Sequence, residues 1–435
     1  MKEPLHFNKI TLDKMDNCYA VLGLLAEDGP VLLFGAEGEG LLISYSGPGF
    51  SVRETIWKGG GGTMSIVPVP GKDGWALTSR GFYTMADCKD SRIEIVRKVG
   101  GSYTHTPIAR VDYLHRFDTL SAPDGTLYLL AASLHSGKKD PDDWSTPGHL
   151  YAGILPEKLF EDLQTSSQML SEDFQSSLQT PPEDCEISIQ RMSGQYKRPP
   201  QTFSEGYEIP LQTLPGEYYV NHGFFKGMWK GHEAAFIASR EGVFAVLPPE
   251  KAGGSWEIEQ LLSIPVSDIA LCDLDGDGLD EMACLLPFHG NRFCIFKQQD
   301  NTWKQVYEHP AGNDFYHAVS CGILQDEKVF AAGARSGRRE LFLVRWDKET
   351  GSFFSQTIDT GSGPSNVAFL NTKEGGLLLS AERMIQEAAI YIFGEWYIKF
   401  DLFQDRKFRK IITGSLDSCG QSSGIIRVKT IVLQF

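Results

Sequence analysis

Short apolar runs, each closed by glycine, asparagine or acidic turn residues, recur along the chain from Asn17 to Trp396. Runs of this length between turn residues read as β-strands, and their even spacing reads as one four-strand unit used repeatedly. The clearest unit is Ser267–Asn313, in which SDIALC, EMACLL, NRFCIFK and WKQVYEH follow one another. The same rhythm runs through Asn17–Lys58 as CYAVLGLLA, VLLFGAE, GLLISYS and SVRETIW. In Gly62–Val99 it gives TMSIVPVP, WALTSR, GFYTMAD and, outermost, RIEIVRK. A third unit from about Tyr103 holds HRFDTLSAP, LYLLAASLH and HLYAGIL, with CEISIQR (Cys185–Arg191) as its expected outer strand. Asn221–Ile264, Phe315–Gly361 and Ser365–Trp396 repeat the pattern.

Seven units with a period of about 40 to 50 residues predict an all-β, seven-bladed β-propeller of four-stranded antiparallel blades. One blade alone would leave its apolar faces uncovered, so the units must close into a ring. The N-terminal LHFNKITL is expected to supply the outer strand of the seventh blade. The propeller is expected over residues 1–396, interrupted at about 156–210 by a polar, partly helical insertion. Residues 397–435 form a tail that shows no further blade.

Composition narrows the function. A net charge of −15 disfavours nucleic acid as a partner, and the 45 glycines suit a chain of tight turns. The N-terminus has no apolar leader and no apolar run is long enough to span a bilayer, which predicts a cytoplasmic protein without membrane partners. The cysteines are scattered, without a CxxC pair, and read as buried thiols. Serine-hydrolase, P-loop, zincin and dinucleotide motifs are absent.

One turn carries recognisable chemistry. In DLDGDGLDE the carboxylates of Asp273, Asp275, Asp277 and Glu281, with the carbonyl of Leu279, have the alternate spacing of an oxygen cage for a hard cation, and Gly276 and Gly278 supply the left-handed turns. Structural Ca2+ is expected, because four carboxylates this close repel unless neutralised; an acidic hairpin without metal is the alternative. Flanking strands exclude an EF-hand.

Blade topology places this turn on the face opposite the one where inner strands begin. That second face gathers six of the ten histidines. His115 with Arg116, Asn221 with His222, and Tyr316 with His317 stand at inner-strand entries. Arg80, His135, His149, Arg240, His289, Arg335, Glu382 and Arg383 stand at second-to-third-strand loops, and the loop Ser136–Gly148 adds Asp140, Asp142, Asp143 and Trp144 at the rim. Imidazoles can act there as base, acid or metal ligand, and guanidiniums can hold an anion. His115, His222, His317, Arg116 and Arg335 are therefore candidate catalytic groups. His135, Trp144, His149, Arg240, His289, Glu382 and Arg383 are candidate substrate contacts, and the mouth leaves room for a second divalent metal.

The acidic turn resembles the loop of FG-GAP or VCBS repeats. NHGFFKG, SREGVFAVLP, DLDGDGLDEMACLLPFHGNRFCIFK, AGARSGRRELFLVRW and GSGPSNVAFL are similar to the VCBS-type propeller of the aldos-2-ulose dehydratase group, over residues 17–396. This resemblance implies a carbohydrate lyase or dehydratase that takes a proton beside the ketone of a keto-sugar or keto-glycoside and expels a β-leaving group. A non-catalytic propeller that binds a glycan or protein partner at the same mouth is the alternative.

Overall fold

The computed structural model describes residues 2–86, 88–165, 208–372 and 375–394. Its strands, β1 (Phe7–Lys14) to β28 (Glu387–Phe393), form seven four-stranded antiparallel sheets in a ring. The inner strands are β2 (Cys18–Ala26), β6 (Ile66–Pro68), β10 (Leu114–Ser121), β14 (Gly223–Trp229), β18 (Asp268–Cys272), β22 (Asn313–Leu324) and β26 (Asn366–Thr372). The ring closes as the sequence predicts. β1 pairs antiparallel with β28 as the outer strand of the last blade, Phe7 opposite Phe393 and Lys14 opposite Glu387.

Middle strands read as unbroken apolar runs because both of their faces are covered. In β19 (Glu281–Leu286), Met282, Cys284 and Leu286 pack towards the preceding blade, whereas Ala283 and Leu285 pack towards the next. Outer strands such as β21 (Thr302–Glu308) alternate instead, since only one face meets a neighbour. The inner strands approach closely: a Cβ on Gly322 would stand 2.3 Å from Phe369 Cγ, so this contact requires glycine.

Two expectations are corrected. In the second blade GFYTMA (81–86) of the expected GFYTMAD is not a strand; the third and outer strands are β8 (Arg92–Val99) and β9 (Ser102–Arg110). Gly81 has φ +96°, and a Cβ there would lie 2.9 Å from the Asp90 carbonyl, so the chain turns out of the sheet and delivers Phe82 and Tyr83 to the central cavity. In the third blade the outer strand is β13 (Gln212–Thr213), paired with β12 (Leu150–Ile154). Cys185–Arg191 lies outside the described residues, as does Trp396, with which the seventh unit was expected to end. Of the expected insertion, residues 157–165 are helical and bury Leu159, Phe160 and Leu163 against the second and third blades. Among the described residues no helix is long and apolar enough to cross a membrane.

Buried Glu94 is paired on several sides. Glu94 accepts from Arg92 Nε at 2.6 Å and pairs with His105 Nδ1 at 2.7 Å, and Arg80 Nη1 lies 3.5 Å away. Burial alone would raise its carboxyl, but the His105 hydrogen bond and the Arg80 and Arg92 charges outweigh it and hold the group at about 2. A folded value below the unfolded ~4.3 contributes stability above the unfolded value and loses it as pH falls towards about 2. Glu94→Gln should therefore cost about 3 kcal/mol at pH 7 and flatten the loss of stability between about pH 4.5 and 2. Denaturant unfolding across that range checks it, and an unchanged acid limb in the variant would contradict it.

Candidate functional site

Corresponding positions at the start of the inner strands form two rings. Tyr19, Met64, His115, His222 and His317 line a cavity of about 300 Å3, together with Glu37, Phe82, His289, Phe315 and Arg335. The residues one step further, including Ser65, Arg116, Asp268 and Asn366, line a second polar cavity of about 160 Å3. Successive residues of a strand point to opposite sides, so His115 faces the first cavity and Arg116 the second.

Three histidines are held in one way. His115 Nδ1 lies 3.2 Å from the carbonyl of His222, His222 Nδ1 lies 3.1 Å from that of Ser267, and His317 Nδ1 lies 2.7 Å from that of Ser365. A carbonyl only accepts, so each Nδ1 carries the proton and each Nε2 keeps its lone pair. Each carbonyl belongs to the next blade, so packing of the ring sets the ring orientations. All three rings are fully buried, and burial drives each pKa well below 6.5, assisted by Arg116 or Arg335 and the neighbouring imidazoles. The rings are therefore neutral bases. The His115 and His222 centroids are 4.5 Å apart, and those of His222 and His317 5.0 Å.

Tyr19 stands between two of these rings. Its hydroxyl is 3.4 Å from His115 Nε2 and 3.3 Å from His317 Nε2. A phenol has one proton, so it donates to only one imidazole at a time and leaves the other lone pair free. Burial raises the Tyr19 pKa despite Arg116, keeping the phenol protonated. His289 completes the group: its ring stacks between Phe288 and Phe315, with centroids at 3.7 and 4.0 Å, and burial lowers its pKa to about 3. Arg335 lies over the Phe315 ring at 4.9 Å, with its Nε buried and without a hydrogen-bond partner. A guanidinium with spare donors on a small cavity wall is suited to an anionic oxygen.

The predicted residues thus divide. His115, His222, His289, His317 and Arg335 share the cavity. Arg116 does not: as the residue after His115 it points the other way, into the second cavity, where it donates to Met64 O at 2.9 Å and Asn366 Oδ1 at 3.0 Å. Its Nη2 also lies 3.6 Å from Asp268, which burial nevertheless pushes up to about 6. Glu382 is buried away from the mouth, paired with Lys9 at 2.7 Å and Tyr391 OH at 2.5 Å, which ties β1 into the last blade. Arg383 donates from Nε to Glu37 at 2.8 Å and so reaches the wall only indirectly. His135 packs on Tyr113 behind the wall, and His149 lies near the Gly216 carbonyl in the third blade. Trp144 has the Lys138 ammonium 3.2 Å from its ring centre, and its carbonyl accepts from Arg240, so that ring face is taken within its own loop. Tyr19 escaped sequence reading because CYAVLGLLA looks wholly apolar. Superposing the units would have set it beside His115, His222 and His317.

The acidic turn lies outside both cavities, between β18 and β19. Asp273, Asp275 and Glu281 offer oxygens within 4.8 Å of one another, a donor set that fits a hard cation. The Lys297 ammonium sits among these groups, paired with Asp275 and lying 2.8 Å from both Asp277 and Glu281, and Lys328 approaches Asp273 at 3.4 Å. The turn therefore holds an internal countercharge. Leu279 donates its N–H to Asp277 and its side chain is exposed. Lys297→Met should leave the carboxylates unscreened. Its melting temperature is expected to fall in chelator and recover in millimolar Ca2+, whereas equal loss in both would show that the turn does not bind the ion.

Ring, blades and a histidine-lined mouth define a seven-bladed β-propeller with a buried polar centre. No protein-family model matches the sequence, and no curated protein matches it. Among solved structures, a virginiamycin B lyase from Staphylococcus aureus is 8% identical with a TM-score of 0.51, covering 90% of this chain and 99% of its own. A streptogramin B lyase is 11% identical with a TM-score of 0.50, over 90% and 98%. The extracellular domain of a one component system from B. thetaiotaomicron is 11% identical at a TM-score of 0.48, and this chain spans 39% of it. At such identities the likeness shows the fold alone.

Proposed function

We propose that the chain is a carbon–oxygen lyase that acts by β-elimination on a small oxygen-rich substrate, a keto-sugar or keto-glycoside, in the cavity lined by Tyr19, His115, His317 and Arg335. The observation that carries this reading is the Tyr19 hydroxyl between two neutral Nε2 atoms. An imidazole lone pair takes the proton beside the ketone, and the C–H electrons form the enolate, whose oxygen Arg335 stabilises. The enolate re-forms the ketone as the new C=C forms and the β C–O bond breaks; Tyr19 protonates the departing oxygen, and the proton on the imidazole returns to the phenolate. Two solved propellers of this fold are lyases. For the acidic turn the reading is a structural Ca2+ site, in which the ion takes the place of the Lys297 ammonium and steadies the β18–β19 connection.

Tyr19→Phe removes one oxygen and leaves the packing in place. Its kcat on a keto-glycoside panel should fall by about 10²-fold or more, with little change in KM or melting temperature. Full activity in this variant would refute the role of the phenol. Ligand binding by the unmodified chain without turnover of any panel member would assign the mouth to a binding propeller.

A further inference from the structure

We infer that His222, His289 and His317 form a binding site for a divalent transition-metal ion such as Zn2+ or Co2+, with an open coordination position facing the cavity. One ring nitrogen from each lies within 4.8 Å of the other two, and the His289 centroid is 5.6 Å from His222 and 5.5 Å from His317. Zinc–nitrogen bonds of about 2.0–2.1 Å place tetrahedral ligands roughly 3.4 Å apart, so the rings need to close by little more than an ångström.

Three further observations point to a ligand. His222 and His317 already donate Nδ1–H to the backbone carbonyls of Ser267 and Ser365, the outer hydrogen bonds that fix a ligating imidazole in its tautomer and aim. His289 Nε2 is buried and has no hydrogen-bond partner, a cost that a metal bond would remove. The His289 ring is also held between Phe288 and Phe315, with centroids at 3.7 and 4.0 Å. A fixed ring with an unsatisfied buried nitrogen marks a position suited to a ligand.

The donors choose the ion. Three neutral imidazoles favour Zn2+, Co2+, Ni2+ or Cu2+ over Ca2+ and Mg2+, the reverse of the acidic turn. Three protein ligands leave a fourth position, and here it opens on the cavity that holds Arg335 and Tyr19. An ion there would suit a carboxylate, enolate or vicinal-diol oxygen. It would also withdraw His317 from Tyr19 and leave the phenol to His115 alone. The site stands apart from the elimination reading, because binding needs no turnover.

The test is titration of the chelator-stripped full chain with Co2+, read by its visible absorption and by calorimetry. One equivalent should bind, with a ligand-field spectrum of nitrogen coordination, and Zn2+ should displace it. His289→Asn, which keeps a residue tolerant of positive φ, should weaken binding by at least 10²-fold while melting as the parent does, and His317→Gln should do likewise. Asp275→Asn should leave Co2+ binding unchanged. Absence of binding by the parent, parental affinity in His289→Asn, or loss of binding in Asp275→Asn would each overturn the assignment.

Discussion

Three hydrogen bonds from imidazole Nδ1 to backbone carbonyls of the following blade govern the mouth of this propeller. Each bond belongs at once to a side chain and to a blade interface. The spacing between blades therefore sets the orientation of the rings, and the rings help close gaps between inner strands. Because all three bonds use Nδ1, every Nε2 lone pair is left for the interior. Neutral imidazoles, a protonated phenol and a guanidinium then share a small volume.

Buried charge elsewhere follows the same logic. Glu94 is surrounded by Arg80, Arg92 and His105, and Glu382 by Lys9 and Tyr391. Glu94 joins neighbouring strands of the second blade, and Glu382 joins the N-terminal β1 to the last blade. The acidic turn shows the complementary case: its carboxylates draw in Lys297 from β20 (Arg292–Gln299), so a side chain does part of what an ion could do. Opposite faces of the ring thus present donors of different hardness, oxygens at the turn and nitrogens in the mouth.

Blade rhythm was legible because central strands are covered on both faces and so read as unbroken apolar runs bounded by turns. The closing strand was legible because LHFNKITL has no sheet of its own. His115, His222 and His317 could be grouped because each sits at the same step of its unit. What escaped had separate physical causes. Arg116 was grouped with His115 by its place at the strand entry, although adjacent strand residues face opposite sides. GFYTMAD has strand-like composition, but Gly81 turns it out of the sheet. Tyr19 has a polar atom at the end of an apolar ring, so apolar patterning hid it. Ser365, which holds His317 from the next blade, depends on the folded ring and has no local signal.

Ring tautomers give the most direct access to the central claim. In uniformly 15N-labelled, metal-free protein at pH 7, long-range 15N–1H correlation of His115, His222 and His317 should show all three as neutral rings protonated at Nδ1. Rings protonated at Nε2, or at both nitrogens, would mean that the carbonyls of the next blade do not hold them and that the mouth lacks the bases on which the account depends.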